Sequence, residues 1–332
     1  MTITDVARLA GVSVATVSKV VNGRYGVAPQ TMERVRGVID EVGYETSLVA
    51  RSLRSHRTNV LGILVAEFEP FSTEILKGTA QAISSTGYEL LAYSGGGRAD
   101  EDAGWERRSL SRLGGTLIDG AILVTPTVVG AAGAVPVVAI DPHAGPSDLP
   151  TVDADNLSGA VLATEHLLGL GHRRIAFLGG RPGLESSRLR EQGFRTAMAA
   201  AGAPVDPDLV RVGGYRPQIA TGPAREVLGR SEPPTAVFAA NDLSAIATMD
   251  VAREMGLSVP GDLSVVGFDN VPESALVEPP LTTVGQPMQA MGSAAVRLLV
   301  QLVNGAPGTA PDSGTHVRLP TELVVRGSTR AL

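Results

Sequence analysis

The sequence predicts a small all-α head followed by an α/β body of two doubly wound lobes, on three observations. Apolar residues recur at helical spacing between Val6 and Val42 and then, from Asn59, gather into short unbroken runs. Those runs alternate with helical stretches, the pattern of parallel sheets covered on both faces. Charge divides at the same place: residues 1–58 carry eight Lys and Arg against five Asp and Glu, and the rest carries 20 against 29. A basic cap with a net charge of +3 therefore sits on an acidic body of −9, and affinity for phosphate belongs to the cap.

In the head, Thr4 is placed to cap a first helix whose apolar residues Val6, Ala7, Leu9 and Ala10 share a face, and Gly11 stops it. Ser13 caps a second helix. Val17, Val20 and Val21 can pack on the first, which leaves Val14, Ala15, Ser18, Lys19 and Asn22 on the other faces. Any helical hairpin has a buried seam, but small and polar outer residues suit a helix that enters a major groove. Gly23 and Gly26 make a loop in which Tyr25 either touches phosphate or packs. Pro29 then opens a third helix, Gln30 to Val42, with Met32, Val35, Val38, Ile39 and Val42 inward, and Gly43 ends it.

The segment SLVARSLRS, residues 47–55, has a capping serine, helix formers and arginines. Alone it reads either as a solvated linker or as a helix too short to hold in water. Beyond it come buried strands, NVLGILV, DGAILVTP, VPVVAID, RRIAFLGG, TAVFAAND and LSVVGFD. Helical stretches alternate with them, such as Glu74 to Thr86, Leu157 to Leu170, Arg188 to Ala201 and Asp242 to Met255. This architecture places ligands at the carboxyl ends of the strands. Polar residues stand at those ends: Asp155 after TVDA, Asn241 and Asp242 after AVFAA, Asp269 after SVVGF, Gln286 after TTVG. A cap or a turn accounts for any one of them, and Asp242 reads as a plain cap. Four at one cleft, with an arginine fork, match the alternating donors and acceptors of sugar hydroxyls.

Composition excludes other classes. The 332 residues are 43% apolar with mean hydropathy +0.14, and no run approaches the roughly 18 apolar residues of a membrane helix. No basic start leads into an apolar run, so no signal peptide is expected, and the expected location is the cytoplasm. Zero cysteines remove disulfide and thiolate chemistry. There is no Gly-x-Ser-x-Gly, His-Glu-x-x-His or Walker loop, and Gly95-Gly96-Gly97 lacks dinucleotide spacing. The five histidines form no ligand pattern, and Trp105 reads as a surface or packing aromatic. No enzymatic activity, metal or cofactor is expected.

The run DVARLAGVSVATVSKVVNG, residues 5–23, resembles the N-terminus of the lactose and galactose repressor (LacI/GalR) family, whose pattern is D-V-A-x-x-A-G-V-S-x-x-T-V-S-x-V-x-N. The resemblance extends over the whole chain. It implies a helix-turn-helix head over 1–46 that meets operator DNA through Thr4, Ser13, Val14, Ala15, Thr16, Lys19 and Asn22. Val14 and Ala15 offer only apolar contact, as in relatives that read TG-x-AA-type half-sites around a central C-G step, so Lys19 is left to supply the polar readout. Residues 47–58 look like the family's hinge, in which Ala50, Leu53 and Arg54 meet the minor groove and Leu53 pries open the central step. Thr46-Ser47 stands where relatives often have Pro-Asn.

The resemblance further implies a periplasmic-binding-protein-like body over 59–332 whose lobes exchange strands, 59–158 with 288–318 and 159–287 with 319–332. HVRLPTELVVRGS resembles the closing strand, and the absence of a heptad tail implies a homodimer. By the same resemblance the effector positions are Phe71, Ser72, Asp155, Arg188, Tyr215, Asn241, Asp269 and Gln286, with Asp155 preferred to Asp153 because Asn156 follows it. Phe71 also fits a core role. The expectation is a repressor released from a palindromic operator by a small sugar. The alternative is a corepressor-dependent regulator that senses a purine or a phosphorylated protein. A sugar-binding transport component would need an export signal and no DNA head, the reverse of what the sequence shows.

Overall fold

The structure is a computed structural model that describes residues 1–21, 23, 25–44, 57–96, 104–127, 135–145, 149–305 and 315–332. Among its described residues the head holds three helices, α1 (Ile3–Ala10), α2 (Val14–Val21) and α3 (Pro29–Val42), which pack on one another. Thr2, not Thr4, caps α1: its hydroxyl accepts from the Asp5 amide at 3.4 Å while the Asp5 carboxylate accepts from the Thr2 amide at 2.9 Å. This reciprocal box puts Thr4 inside the first turn, exposed. Gly11 takes φ +65° to end α1, and the Ser13 hydroxyl accepts from the Thr16 amide at 3.1 Å to open α2.

Val6, Ala7, Ala10, Val17, Val20 and Val35 make the core of the head. Leu9 is 49% exposed, against the expectation that it shares their face. At 100° per residue it lies well off the line that joins Val6, Ala7 and Ala10. Tyr25 is fully exposed, which removes its packing alternative.

The described residues of the body form two six-stranded sheets. The first is built from β1 (Val60–Val65), β2 (Glu89–Ser94), β3 (Gly120–Val124), β4 (Val137–Ile140), β5 (Thr151–Ala154) and β11 (His316–Leu319), in the order β11-β5-β4-β3-β1-β2 and parallel throughout. The second is built from β6 (Ile175–Gly179), β7 (Val210–Val212), β8 (Ala236–Ala239), β9 (Ser264–Asp269), β10 (Thr282–Gly285) and β12 (Glu322–Val324), in the order β12-β10-β9-β8-β6-β7. Among these described strands β12 alone runs antiparallel. The segment expected to be one closing strand is thus two short ones, one for each sheet.

β1, β3, β4, β6, β8 and β9 are buried along their whole length, which explains why they read as unbroken apolar runs. Among the described residues eight helices accompany the sheets: α4 (Pro70–Ile83), α5 (Trp105–Leu113), α6 (Asn156–Gly169), α7 (Glu185–Ala200), α8 (Pro217–Leu228), α9 (Asp242–Glu254), α10 (Pro272–Leu276) and α11 (Met288–Asn304). α4 starts four residues before the expected Glu74, because the Glu69 carboxylate accepts the amides of Phe71 and Ser72 and Pro70 occupies the first turn. α11 leaves the second sheet to pack on α4 and on β3, β4 and β5 of the first. Its contact with α4 is backbone-close: a Cβ on Gly78 would stand 2.0 Å from the Gln289 carbonyl oxygen, and one on Gly292 2.3 Å from that of Ile75. Trp105 is buried and packs against Gly95.

Candidate functional site

In the head, the exposed face of α2 carries Val14, Ala15 and Lys19, with Thr16 half-buried and tied to Ser13 through their hydroxyls at 2.9 Å. Burial of Val17 and Val20 fixes that orientation. Asn22, Ala50, Leu53 and Arg54 lie outside the described residues.

In the body, the carboxyl ends of strands from both sheets face one cleft with a cavity of about 480 Å³. Glu67, Glu69, Phe71 and Ser72 follow β1, Thr125 follows β3, and Asp141 and His143 follow β4. Opposite them stand Arg181 after β6, Ser186 and Arg190 on α7, Tyr215 and Arg216 after β7, Asn241 after β8, and Asp269 at the end of β9.

The floor is a buried ion pair. Arg190 and Asp269 lie 3.3 Å apart with side chains 4% and 8% exposed. Arg190 also donates Nε–H to Asn156 Oδ1 at 2.8 Å and another N–H to the Ala240 carbonyl, and its guanidinium sits 3.8 Å from the centre of the Phe268 ring. Asp269 Oδ1 accepts Nε2–H of Gln286 at 2.7 Å. Burial pushes the Asp269 carboxyl well above the ordinary range, opposed by Arg190 and by the Gln286 bond. Asn241 caps α9, accepting from the Ser244 amide at 3.0 Å, and donates to the Tyr215 carbonyl at 3.1 Å. One N–H of its amide remains beyond these bonds. Burial raises Asp141 to about 6, opposed by Arg190 and by a hydrogen bond from Ser186 across the cleft. Burial also raises Glu69, opposed by the Ser72 and Phe71 groups that it caps.

Backbone strain collects here. Thr125 and Asp141 at φ +47°, Tyr215 at φ +64° and Asp269 at φ +117° all line the cleft. Such conformations cost about 1–3 kcal/mol each and persist where surrounding structure enforces them. The Tyr215 ring lies over Gly180, where a Cβ would stand 2.1 Å from it.

Of the residues expected at the effector site, Phe71, Ser72, Tyr215, Asn241 and Asp269 come together along the cleft. Phe71 serves both readings, since it packs on the first-lobe core as well. Asp155, Arg188 and Gln286 do not line it. Asp155 is the cap of α6, accepting from the Ser158 amide at 3.1 Å. Asp153, within β5, is held by His316 at 2.7 Å and Arg318 at 3.2 Å. Arg188 is exposed and paired with Glu185 at 2.6 Å. Arg190 occupies the place expected of it, because two residues on a helix are about 200° apart. Gln286 stands behind Asp269 and touches the cleft only through it. Asp242, expected as a cap, is instead fully buried next to the capping Asn241 and accepts from the Val271 amide at 2.9 Å and the Thr283 hydroxyl at 2.5 Å.

Sequence reasoning missed Arg190, Ser186, Asp141 and Arg216. For Arg190 the signal was present: it lies four residues before Phe194, on the face that Ala197 and Met198 continue. Asp141 ends VPVVAID as Asp269 ends LSVVGFD. Among the described residues no group of three His, Asp or Glu side chains is arranged for a metal, and no helix is long and apolar enough to cross a membrane.

The model for bacterial regulatory proteins of the lacI family matches residues 2–47, and that for the periplasmic binding protein-like domain matches residues 164–329. The chain is 36% identical over 345 residues to the HTH-type transcriptional regulator CelR of Thermobifida fusca, with 98% of each covered. Among solved structures, the transcriptional regulator CelR–cellobiose complex is 34% identical, with 99% of both chains covered and a TM-score of 0.72. The lac repressor dimer bound to operator and the anti-inducer ONPF is 27% identical, with 100% of this chain and 99% of that one covered and a TM-score of 0.83. With a matched head, a matched body and relatives aligned over nearly their whole length, the chain belongs to the lacI family of bacterial transcriptional regulators.

Proposed function

We propose that the chain is a cytoplasmic homodimeric repressor, without enzymatic activity, that leaves its palindromic operator when a small sugar enters the cleft. Residues 1–46 act as the operator-binding head, 47–58 as the hinge, and 59–332 as the effector-binding and dimerisation body. The observation that carries the sugar reading is the cleft lining, where Arg190, Asp269 and Asn241 set donors and acceptors in the same cavity as the aromatic side chains of Tyr215 and Phe71. Hydroxyls need that alternation, and the C–H faces of a sugar need the rings.

Charge speaks against an anionic effector. The arginines of the lining are not gathered as a phosphate would need: Arg190 is paired with Asp269 and Arg216 with Glu67, on a wall that also carries Glu69 and Asp141. Release follows from linkage: a sugar that prefers the body conformation incompatible with the operator-bound head weakens operator binding by the ratio of its affinities for the two states.

The test is a shift assay with a palindromic, C-G-centred operator from the gene's own upstream region, titrated with a panel of mono- and oligosaccharides. Release by one of them supports the reading. Operator binding that no sugar relieves, or that a phosphorylated metabolite strengthens, overturns it.

A further inference from the structure

The cleft has a second polar pair, and it differs from the floor pair in every respect that bears on ligand exchange. Glu67, just beyond β1 in the first lobe, meets Arg216, just before α8 in the second, at 3.2 Å. Their side chains are 40% and 42% exposed, whereas those of Arg190 and Asp269 are nearly closed to solvent. Both pairs line the same cavity. Tyr215 connects them, with the Arg190 guanidinium 5.5 Å from its ring and Arg216 next to it in the chain. The space thus has an inner register built on Arg190 and Asp269 and an outer one built on Glu67 and Arg216.

Pockets of about 300–1,000 Å³ take drug-sized ligands, and a single hexose is smaller than those. A cavity of about 480 Å³ leaves room beyond one ring seated on the floor. Glu67 and Arg216 line that remaining space. An ion pair this exposed contributes little stability, so hydroxyls displace it at little cost. Once parted, the carboxylate accepts and the guanidinium donates, as two adjacent hydroxyls require.

We propose that Glu67 and Arg216 are specificity-determining residues: a gate across the outer cleft that opens onto the second ring of an oligosaccharide and makes the site prefer two sugar rings to one. This rests on the sugar reading above. A single-ring sugar binds beneath the closed pair and gains nothing from it. A two-ring sugar exchanges the pair for bonds to both residues.

The experiment is calorimetric titration of the full chain with glucose, cellobiose and cellotriose, repeated on Glu67→Ala and Arg216→Ala. The wild type should bind cellobiose more tightly than glucose. Each substitution should weaken cellobiose about tenfold or more while glucose changes by less than about twofold, because a bond to a charged group is lost only where the second ring sits. Equal losses for both sugars would make the pair a general closure contact and overturn the gate, as would no change for either. If none of the three binds the wild type, the gate falls, while the sugar reading is decided separately by operator release across the wider panel.

Discussion

The guanidinium of Arg190 lies 3.3 Å from the carboxylate of Asp269 at the floor of the cleft, with Phe268 stacked beneath it. Two residues away on the same helix, Arg188 stands in solvent against Glu185. Removal of Arg190 leaves a buried carboxylate without its partner, so Arg190→Ala should cost about 3–5 kcal/mol in the body's urea unfolding and abolish effector response. Arg188→Ala should stay within about 0.5 kcal/mol and respond normally. Parallel titrations decide it, and a lost response in Arg188→Ala with a normal one in Arg190→Ala would reverse the assignment.

Gly180→Ala should displace Tyr215, since the added methyl would stand 2.1 Å from its ring. The expected result is a loss of sugar affinity of about tenfold or more with operator affinity unchanged, seen by calorimetry and shift assay on one preparation. Equal affinity would mean that Tyr215 does not contact the sugar.

Asp141 gives a pH dependence with a definite sign. Burial raises its pKa to about 6, so the folded chain holds a proton that the unfolded chain releases near 3.8, and between those values stability falls as pH rises. Above pH 6 the cost is complete, up to about 3 kcal/mol at 1.36 kcal/mol for each pKa unit. Asp141→Asn should therefore raise the midpoint of thermal unfolding at pH 7.5 and bring little gain at pH 4. An equal gain at both values would place the effect elsewhere.

Leu53, the wedge that the hinge resemblance implies, lies outside the described residues. Leu53→Ala should weaken operator binding about tenfold or more, because the kinked step loses its wedge, while sugar affinity stays the same. A shift assay that gives the wild-type operator affinity removes the role.

The fold was legible because its signals are local and redundant. The strands from β1 to β9 that are buried on both faces announced themselves as apolar runs, and Gly11, Pro29 and Gly43 marked helix ends at positions where left-handed or proline geometry is needed. The site was legible only in part. Strand ends located Asn241 and Asp269, but a polar residue there can cap, support or face the cavity, and sequence does not separate these: Asp155 caps, Gln286 supports, Asp269 faces the cavity, and Asn241 both caps and faces it. Arg188 and Arg190 differ only in helical phase, which the apolar residues of α7 encode and motif spacing does not. Glu67 and Arg216 left no trace, since their meeting depends on how two separate lobes are placed.

The central claim is that cleft and operator share one equilibrium, and its most direct test is reciprocity. The affinity of the releasing sugar is measured by calorimetry on the free dimer and on the dimer saturated with operator, and operator affinity is measured with and without saturating sugar. Thermodynamic linkage requires the two ratios to be equal, and the account predicts that operator weakens sugar binding by the same factor, about 5–150-fold, by which sugar weakens operator binding. Equal sugar affinity in the free and operator-bound states would contradict it.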